Sequence, residues 1–311
     1  MKALVTGGAG FIGGHLVEAL VARGDDVVVL DDLSTGRREN LVAVRDRIRL
    51  VVGSVADPET VRACCADRDV VFHQAALASV PRSVKDPIGT NAANVDGTLQ
   101  LLWSAHACGV KRVVYAASSS AYGDTEVLPK REDMPARPLS PYAVQKHVGE
   151  LYAGVFARLY GLSSVCLRYF NVFGPRQDPQ SQYAAVVPIF ITRLMRGEAP
   201  VIYGDGEQSR DFTYVRNVVE ANLLAAEAPD PGGRIVNIAC GERITLNELY
   251  RRLQGLTGCH LAPVYGPRRA GDVAHSQADI ALASQVLGYH PVVSFDDGLA
   301  ETVAWYRART A

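Results

Sequence analysis

Short apolar runs alternate with longer amphipathic stretches through the first half of the chain. KALVT at 2–6 is followed by a glycine-rich turn entering a helical pattern, GGAGFIGGHLVEALVARG, and then by a second apolar run in DDVVVLDD. Strand, helix and strand within about 30 residues is the sequence form of a right-handed parallel crossover. Further strand candidates lie at 48–52, 69–73, 111–117 and 163–169, with helical segments between them. The alternation predicts an α/β fold, a doubly wound parallel sheet of the Rossmann type. After about residue 175 the pattern loosens into GPRQDPQSQY, YGDGEQSRDF and APDPGGR, which read as loops between helices. The expected organisation is a nucleotide-binding domain over 1–175 and a smaller C-terminal α+β lobe over 176–311, some of whose strands and helices return to the first domain.

The glycines of the first turn, Gly7, Gly10 and Gly13, have GxxGxxG spacing. Between a strand and a helix such glycines allow a tight turn, let the backbone approach a pyrophosphate and pack helix against strand. Asp31 ends the second strand 18 residues past Gly13, with Asp32 beside it. An acid there accepts hydrogen bonds from a ribose diol and repels a 2′-phosphate, which favours NAD over NADP. Arg37 and Arg38 keep NADP as the minority reading.

Tyr142 stands four positions before Lys146 in SPYAVQKHVGELY. Ser140 is a fitting N-cap and Pro141 suits a first helical turn, so the pair shares one helix face. A phenol with a pKa of about 10 is a poor base near neutrality unless a neighbouring cation stabilises its phenolate. Ser118, Ser119 and Ser120 follow the strand at 111–117, where strand ends face the ligand crevice of an open α/β sheet.

Taken in order, TGGAGFIG, HQAA, NVDGT, SSSAYG, YAVQK, RYFNVFGPRQ, SRDFTYV and RRAGDV resemble the extended short-chain dehydrogenase/reductases. Among these the chain is most similar to nucleotide-sugar 4-epimerases of the UDP-galactose 4-epimerase family, in particular the UDP-N-acetylglucosamine 4-epimerase group. The resemblance implies an NAD-dependent enzyme that epimerises C4 of a UDP-hexose through a transient 4-keto sugar. Tyr142 would be the proton acceptor and donor. Lys146 would hold the nicotinamide ribose and lower the tyrosine pKa, and Ser118 would bond the sugar 4-oxygen, with Ser119 and Ser120 as further sugar contacts. Phe11, Ile12, Asp31, Asp32, Val55, Ala75, Asn94, Tyr169 and Phe170 fall at cofactor positions. Asn171, Val187, Tyr203, Arg210, Arg269 and Asp272 fall where such enzymes grip UDP. Gly53 and Ser54 replace the glycine–aspartate pair that commonly contacts adenine, so Ser54 bears on cofactor affinity.

Dehydratase relatives place Asp and Glu after the strand-end hydroxyl, and decarboxylase relatives a Glu before the Tyr-Gly pair. Here these positions are Ser119, Ser120 and Ala121. Four past Asp272, where galactose-restricted members carry tyrosine, stands Ser276. The smaller side chain leaves room for an N-acetyl group, and Ser79 resembles a sugar contact of the N-acetyl group of enzymes. The expected substrates are UDP-GlcNAc and UDP-GalNAc, with UDP-Glc and UDP-Gal as a slower pair. Two other readings stay open: a 4-epimerase of a UDP-uronate (UDP-GlcNAcA or UDP-GlcA), and a non-catalytic NAD(H)-binding regulator.

Composition narrows the partners. Thirty-two basic against 33 acidic residues leave no polyanion-binding balance, so nucleic acid is not expected. The six cysteines form no CxxC pair and read as reduced thiols. No metal site is expected, and no apolar run reaches membrane-spanning length. A cytoplasmic location is the default, and the resemblance implies a homodimer paired through helices near 86–108 and 141–160, whose apolar positions otherwise read as internal core.

Overall fold

The computed structural model describes residues 1–179, 185–229, 231–268 and 273–310. Seven strands form one parallel sheet: β1 (Lys2–Thr6), β2 (Asp26–Asp31), β3 (Ile48–Val52), β4 (Val70–His73), β5 (Arg112–Ser118), β6 (Ser164–Tyr169) and β7 (Arg234–Ile238). Their spatial order is β7-β6-β5-β4-β1-β2-β3. The chain reverses direction across the sheet between β1 and β4, the switch point at which a doubly wound fold opens its ligand crevice. The register Thr6↔Leu30 and Thr6↔His73 aligns the three strand ends that border it.

The six strand expectations agree with the structure to within one residue. β7 comes from the second half of the chain, in RIVNIA, and pairs with β6 from Arg234↔Val165 to Ile238↔Tyr169. Helix Val215–Glu227 also packs on this sheet through Val218, Ala221 and Ala225. The predicted helix near 86–108 is a relay of three pieces: Pro87–Asn91, a π-turn at Ala92–Asp96 and Gly97–Ala107. The remaining elements form a second core. Helices Val186–Met195, Leu246–Thr257 and Phe295–Thr310 close over Phe173, Phe190, Phe212, Leu249 and Leu299. Phe212 and Phe295 stack at 5.7 Å. All six cysteines are free, and none of the helices among the described residues is long and apolar enough to cross a membrane.

One contact sets the position of helix Pro141–Tyr160 on the sheet. Ser140 Oγ accepts the Ala143 amide at 3.2 Å and Pro141 occupies the first turn, so the helix starts where the sequence predicts. Nine residues on, Gly149 lies against the buried Tyr115 of β5, and an added Cβ would stand 2.2 Å from its hydroxyl oxygen. The missing side chain lets the helix sit down on β5, and the Tyr115 hydroxyl donates to the Lys146 carbonyl at 3.3 Å. Gly149→Ala is therefore expected to cost about 1–3 kcal/mol by overpacking, read as a lower thermal midpoint. Combining it with Tyr115→Phe, which removes the clashing oxygen, should recover part of the loss; an unchanged midpoint in the single variant contradicts this packing argument.

Candidate active site

The crevice at the β1/β4 switch point is lined by Gly7, Gly10, Phe11, Ile12, Gly13, Asp31, Asp32, Ser54, Val55 and Ala75, and ends on Tyr142, Lys146 and Tyr169. Thirteen of the fifteen predicted cofactor residues thus share one surface. Gly7 has φ +68°, and a Cβ on it would meet the Ala75 backbone at 2.7 Å. A Cβ on Gly13 would come within 2.1 Å of the Gly7 carbonyl oxygen. The loop is thus packed tightly against the N-terminus of helix Phe11–Ala22, whose first residues line the crevice, the arrangement that suits a pyrophosphate.

Asp31 is 6% exposed, and its two oxygens accept the amides of Ala9 at 2.9 Å and Leu33 at 2.8 Å. Each oxygen keeps a second lone pair for a ribose hydroxyl. Burial pushes this carboxyl above its ordinary range, and the two amides oppose the shift. Arg37, the candidate for a 2′-phosphate, is paired instead with Asp178 at 2.5 Å. A dinucleotide with a free ribose diol fits these residues.

Asn94 and Phe170 stand behind the crevice wall. The Asn94 amide accepts from Leu77 N at 2.8 Å and donates to Gln145 at 2.9 Å, which pins the loop after β4 to the helix carrying Tyr142. Phe170 is fully buried against Tyr122. His73, inside the HQAA motif, is held between Thr6 at 2.8 Å and Thr98 at 2.9 Å. Burial drives its pKa to about 3, so it is a neutral structural bridge.

Tyr142 and Lys146 share one helix face. The Lys146 ammonium donates to the Ala116 carbonyl at 2.7 Å and lies 5.0 Å from the centre of the Tyr115 ring. Burial lowers its pKa to about 8, while Glu150 acts in the opposite direction. Ser118, two residues past Ala116 on the same strand, stands beside Tyr142 and favours its ionised form. The predicted acidification of Tyr142 is not a property of the protein alone. Dense packing around the half-buried ring pushes the phenol above its ordinary value, and the neighbouring Ser118 hydroxyl opposes this. Ser120 Oγ joins Ser118 Oγ at 2.8 Å, and Ser119 opens the short turn that follows.

Asn171, Val187, Tyr203 and Arg210 line a second cavity of about 380 Å³, together with Phe173, Phe212 and Leu246. Ser276 is half-buried and tied through its amide to Ser209 O at 3.0 Å. Ser79 caps the helix Val80–Lys85 by accepting the Arg82 amide and lies on a groove beside the first crevice. Arg269 and Asp272 lie outside the described residues.

Three groups escaped the sequence reading. Ser83 Oγ accepts the Tyr142 amide at 3.0 Å, fixing the first turn of the helix from 59 residues away. Glu150, one turn beyond Lys146, forms a two-pronged pair with Arg168 at 2.7 and 2.8 Å. Asp211 turns away from Arg210 and accepts the amides of Cys240, Gly241 and Ala278 at 2.9, 3.0 and 3.1 Å. The i, i+4 spacing from Lys146 was the one local signal for Glu150; the others depend on tertiary contacts.

A doubly wound sheet whose dinucleotide crevice ends on a Ser, Tyr, Lys set defines a nicotinamide-dependent enzyme of the short-chain dehydrogenase/reductase class. Residues 3–239 match the NAD dependent epimerase/dehydratase family. The UDP-glucose 4-epimerase of Mycolicibacterium smegmatis is 40% identical, over 100% of both chains. Among solved structures, a UDP-glucose 4-epimerase of Thermotoga maritima with UDP-glucose is 42% identical with TM-score 0.95, covering 100% of both chains. A UDP-N-acetylglucosamine 4-epimerase of Methanobrevibacter ruminantium M1, in complex with UDP-N-acetylmuramic acid, is 41% identical with TM-score 0.95, covering 99% of this chain and 98% of that one. The chain belongs to the NAD dependent epimerase/dehydratase family: it is an enzyme of the nucleotide-sugar 4-epimerase type, with NAD as its cofactor.

The Asp211 contacts yield a stability prediction. Asparagine offers one acceptor oxygen where three amides now converge, so Asp211→Asn should cost about 1–3 kcal/mol. Urea unfolding measures this, and an unchanged midpoint contradicts the assigned contacts.

Proposed function

We propose that the chain interconverts the C4 epimers of UDP-hexoses, with UDP-GlcNAc and UDP-GalNAc as the preferred pair and UDP-Glc and UDP-Gal as a slower one. The observation that carries the reading is the contact set of β5 with helix Pro141–Tyr160: Ala116 O to Lys146 Nζ and Ser118 to Tyr142, at the end of the dinucleotide crevice.

Bound NAD supplies a reversible hydride acceptor for C4 of the sugar. Tyr142 takes the 4-hydroxyl proton and, once the 4-keto sugar has turned its other face so that C4 regains its hydride there, returns the proton to the 4-oxygen. Ser118, beside Tyr142 at the end of β5, orients the reacting oxygen. The Lys146 ammonium offsets charge on the phenolate, which burial otherwise disfavours. Asn171, Val187, Tyr203 and Arg210 hold the UDP portion, the arginine fork suiting a diphosphate. Arg269 and Asp272 complete this grip in the proposal. Ser79, Ser119, Ser120 and Ser276 border the sugar. Support for the acetylated pair is the small Ser276 side chain in place of tyrosine, and the near-equal similarity to solved epimerases of both sugar classes.

The same reading assigns an isologous homodimer. Ile88 and Leu159 are 83% and 73% exposed, and Trp103, Val144, Leu151 and Tyr160 extend their apolar surface over helices Gly97–Ala107 and Pro141–Tyr160. Leu159→Glu is expected to shift the sedimenting species toward monomer; a wild-type monomer contradicts the assignment.

Tyr142→Phe should abolish interconversion while NAD still co-purifies, and intact turnover would overturn the mechanism. Lys146 must keep its proton, so kcat should fall as pH rises through about 8. Ser276→Tyr should reduce kcat/KM on UDP-GlcNAc by about 10-fold or more and leave UDP-Glc within about 3-fold, by analogy with steric pocket discrimination. Equal losses on both sugars, or preference of the wild type for a UDP-uronate, would contradict the pocket assignment.

A further inference from the structure

Glu150 has no place in the mechanism above, yet the fold encloses it completely. Its side chain is 0% exposed, four residues beyond Lys146 and eight beyond Tyr142, so all three lie along one buried face of the helix. Both carboxylate oxygens are committed: Oε1 accepts Arg168 Nε at 2.7 Å, and Oε2 accepts Arg168 Nη2 at 2.8 Å and meets His147 Nδ1 at 2.8 Å. Arg168, on β6, is 2% exposed, and its guanidinium lies 4.5 Å from the centre of the Tyr122 ring. A buried pair of this kind contributes little net stability beside an apolar pair of the same volume, so its retention calls for another reason.

Lys146 has a demanding environment. It is 4% exposed, and among the described residues its side chain hydrogen-bonds a neutral carbonyl, Ala116 O. The titratable and charged groups around it are Tyr142 and Glu150 on its own helix, Tyr115 on β5, Cys166 and Arg168 on β6, and His73 on β4. His73, Cys166, Tyr115 and Tyr142 are all held neutral by burial. The fixed charges are then Lys146, Arg168 and the Glu150 carboxylate, which is bonded to Arg168 and stands one helical turn beyond Lys146.

We propose that Glu150 is a positioning residue for the epimerisation: clamped by Arg168, it is the fixed negative charge that keeps the Lys146 ammonium protonated beside Tyr142. Arg168 holds the carboxylate in place and confines it to one rotamer. Without the carboxylate, two buried cations on neighbouring elements lose the countercharge that Glu150 supplies. Lys146 then loses its proton more readily, and Tyr142 loses the charge that supports its phenolate.

This inference rests on the 4-epimerase reading, and the test separates the two. The pH dependence of kcat is measured for wild type, Glu150→Gln and Glu150→Gln/Arg168→Met, and Lys146 protonation is followed independently by competitive acetylation with mass spectrometry. In Glu150→Gln the alkaline limb of kcat and the midpoint of Lys146 labelling should both move down by about one pH unit or more, as expected for loss of a nearby opposite charge. The KM for the UDP-sugar should stay within about 2-fold, since the contact removed is not to substrate. The double variant, which removes both charges, should return the limb at least halfway. Where Glu150→Gln fails to fold, Arg168→Met carries the test: its unneutralised carboxylate should move the limb and the labelling midpoint up. Loss of activity by the same factor at every pH, with an unmoved labelling midpoint, would make Glu150 merely structural and overturn the proposal. A wild type that interconverts no UDP-hexose would refute the functional reading, while the labelling midpoints would still decide the role of Glu150.

Discussion

The site depends on the rotational setting of one helix against one strand. Helix Pro141–Tyr160 meets β5 at three heights: Ser118 with Tyr142, Ala116 O with Lys146 Nζ, and the Tyr115 hydroxyl with the Lys146 carbonyl over Gly149. A helix turns 100° per residue, so a slip of one position would carry both reactive side chains out of the crevice. Ser83, in helix Val80–Lys85, at the Tyr142 amide and Asn94, in the π-turn, at Gln145 fix the same helix from the segment between β4 and β5.

This setting has an electrostatic consequence. Close packing disfavours charge on both Tyr142 and Lys146, raising the phenol and lowering the ammonium. Each pKa unit corresponds to about 1.4 kcal/mol, so the fall of Lys146 from 10.5 to about 8 is a few kcal/mol of desolvation left after its neighbours have offset part of it. The Ala116 carbonyl, the Tyr115 ring and the Glu150 carboxylate are the groups that oppose it. The protein thus stores a poised acid–base pair, and its tuning resides in residues that never contact a sugar.

What was legible in the sequence followed from local spacing. GxxGxxG between a strand and a helix, an acid at the end of β2, and a tyrosine four before a lysine after a Ser-Pro cap each report geometry within one or two turns of chain. The capping contact at Ser140 and the crevice lining agree with those readings. Long-range contacts were not legible: Ser83 meets Tyr142 across 59 residues, and Asp211 gathers amides from 29 to 67 residues away. Asn94 and Phe170 illustrate the converse, since a motif position fixed their neighbourhood but not which side of the wall they occupy. The burial that raises the Tyr142 phenol in the protein alone was not legible, because proximity to a cation is readable from spacing, whereas burial is a property of the assembled fold.

The most direct measurement is a crystal structure of the enzyme with NAD and a UDP-hexose in place. The account predicts the Tyr142 hydroxyl within hydrogen-bond reach of the sugar 4-oxygen, about 2.6–3.2 Å, with Lys146 still on the Ala116 carbonyl. A sugar bound with its 4-oxygen beyond reach of Tyr142, or a dinucleotide seated away from Lys146, would contradict it.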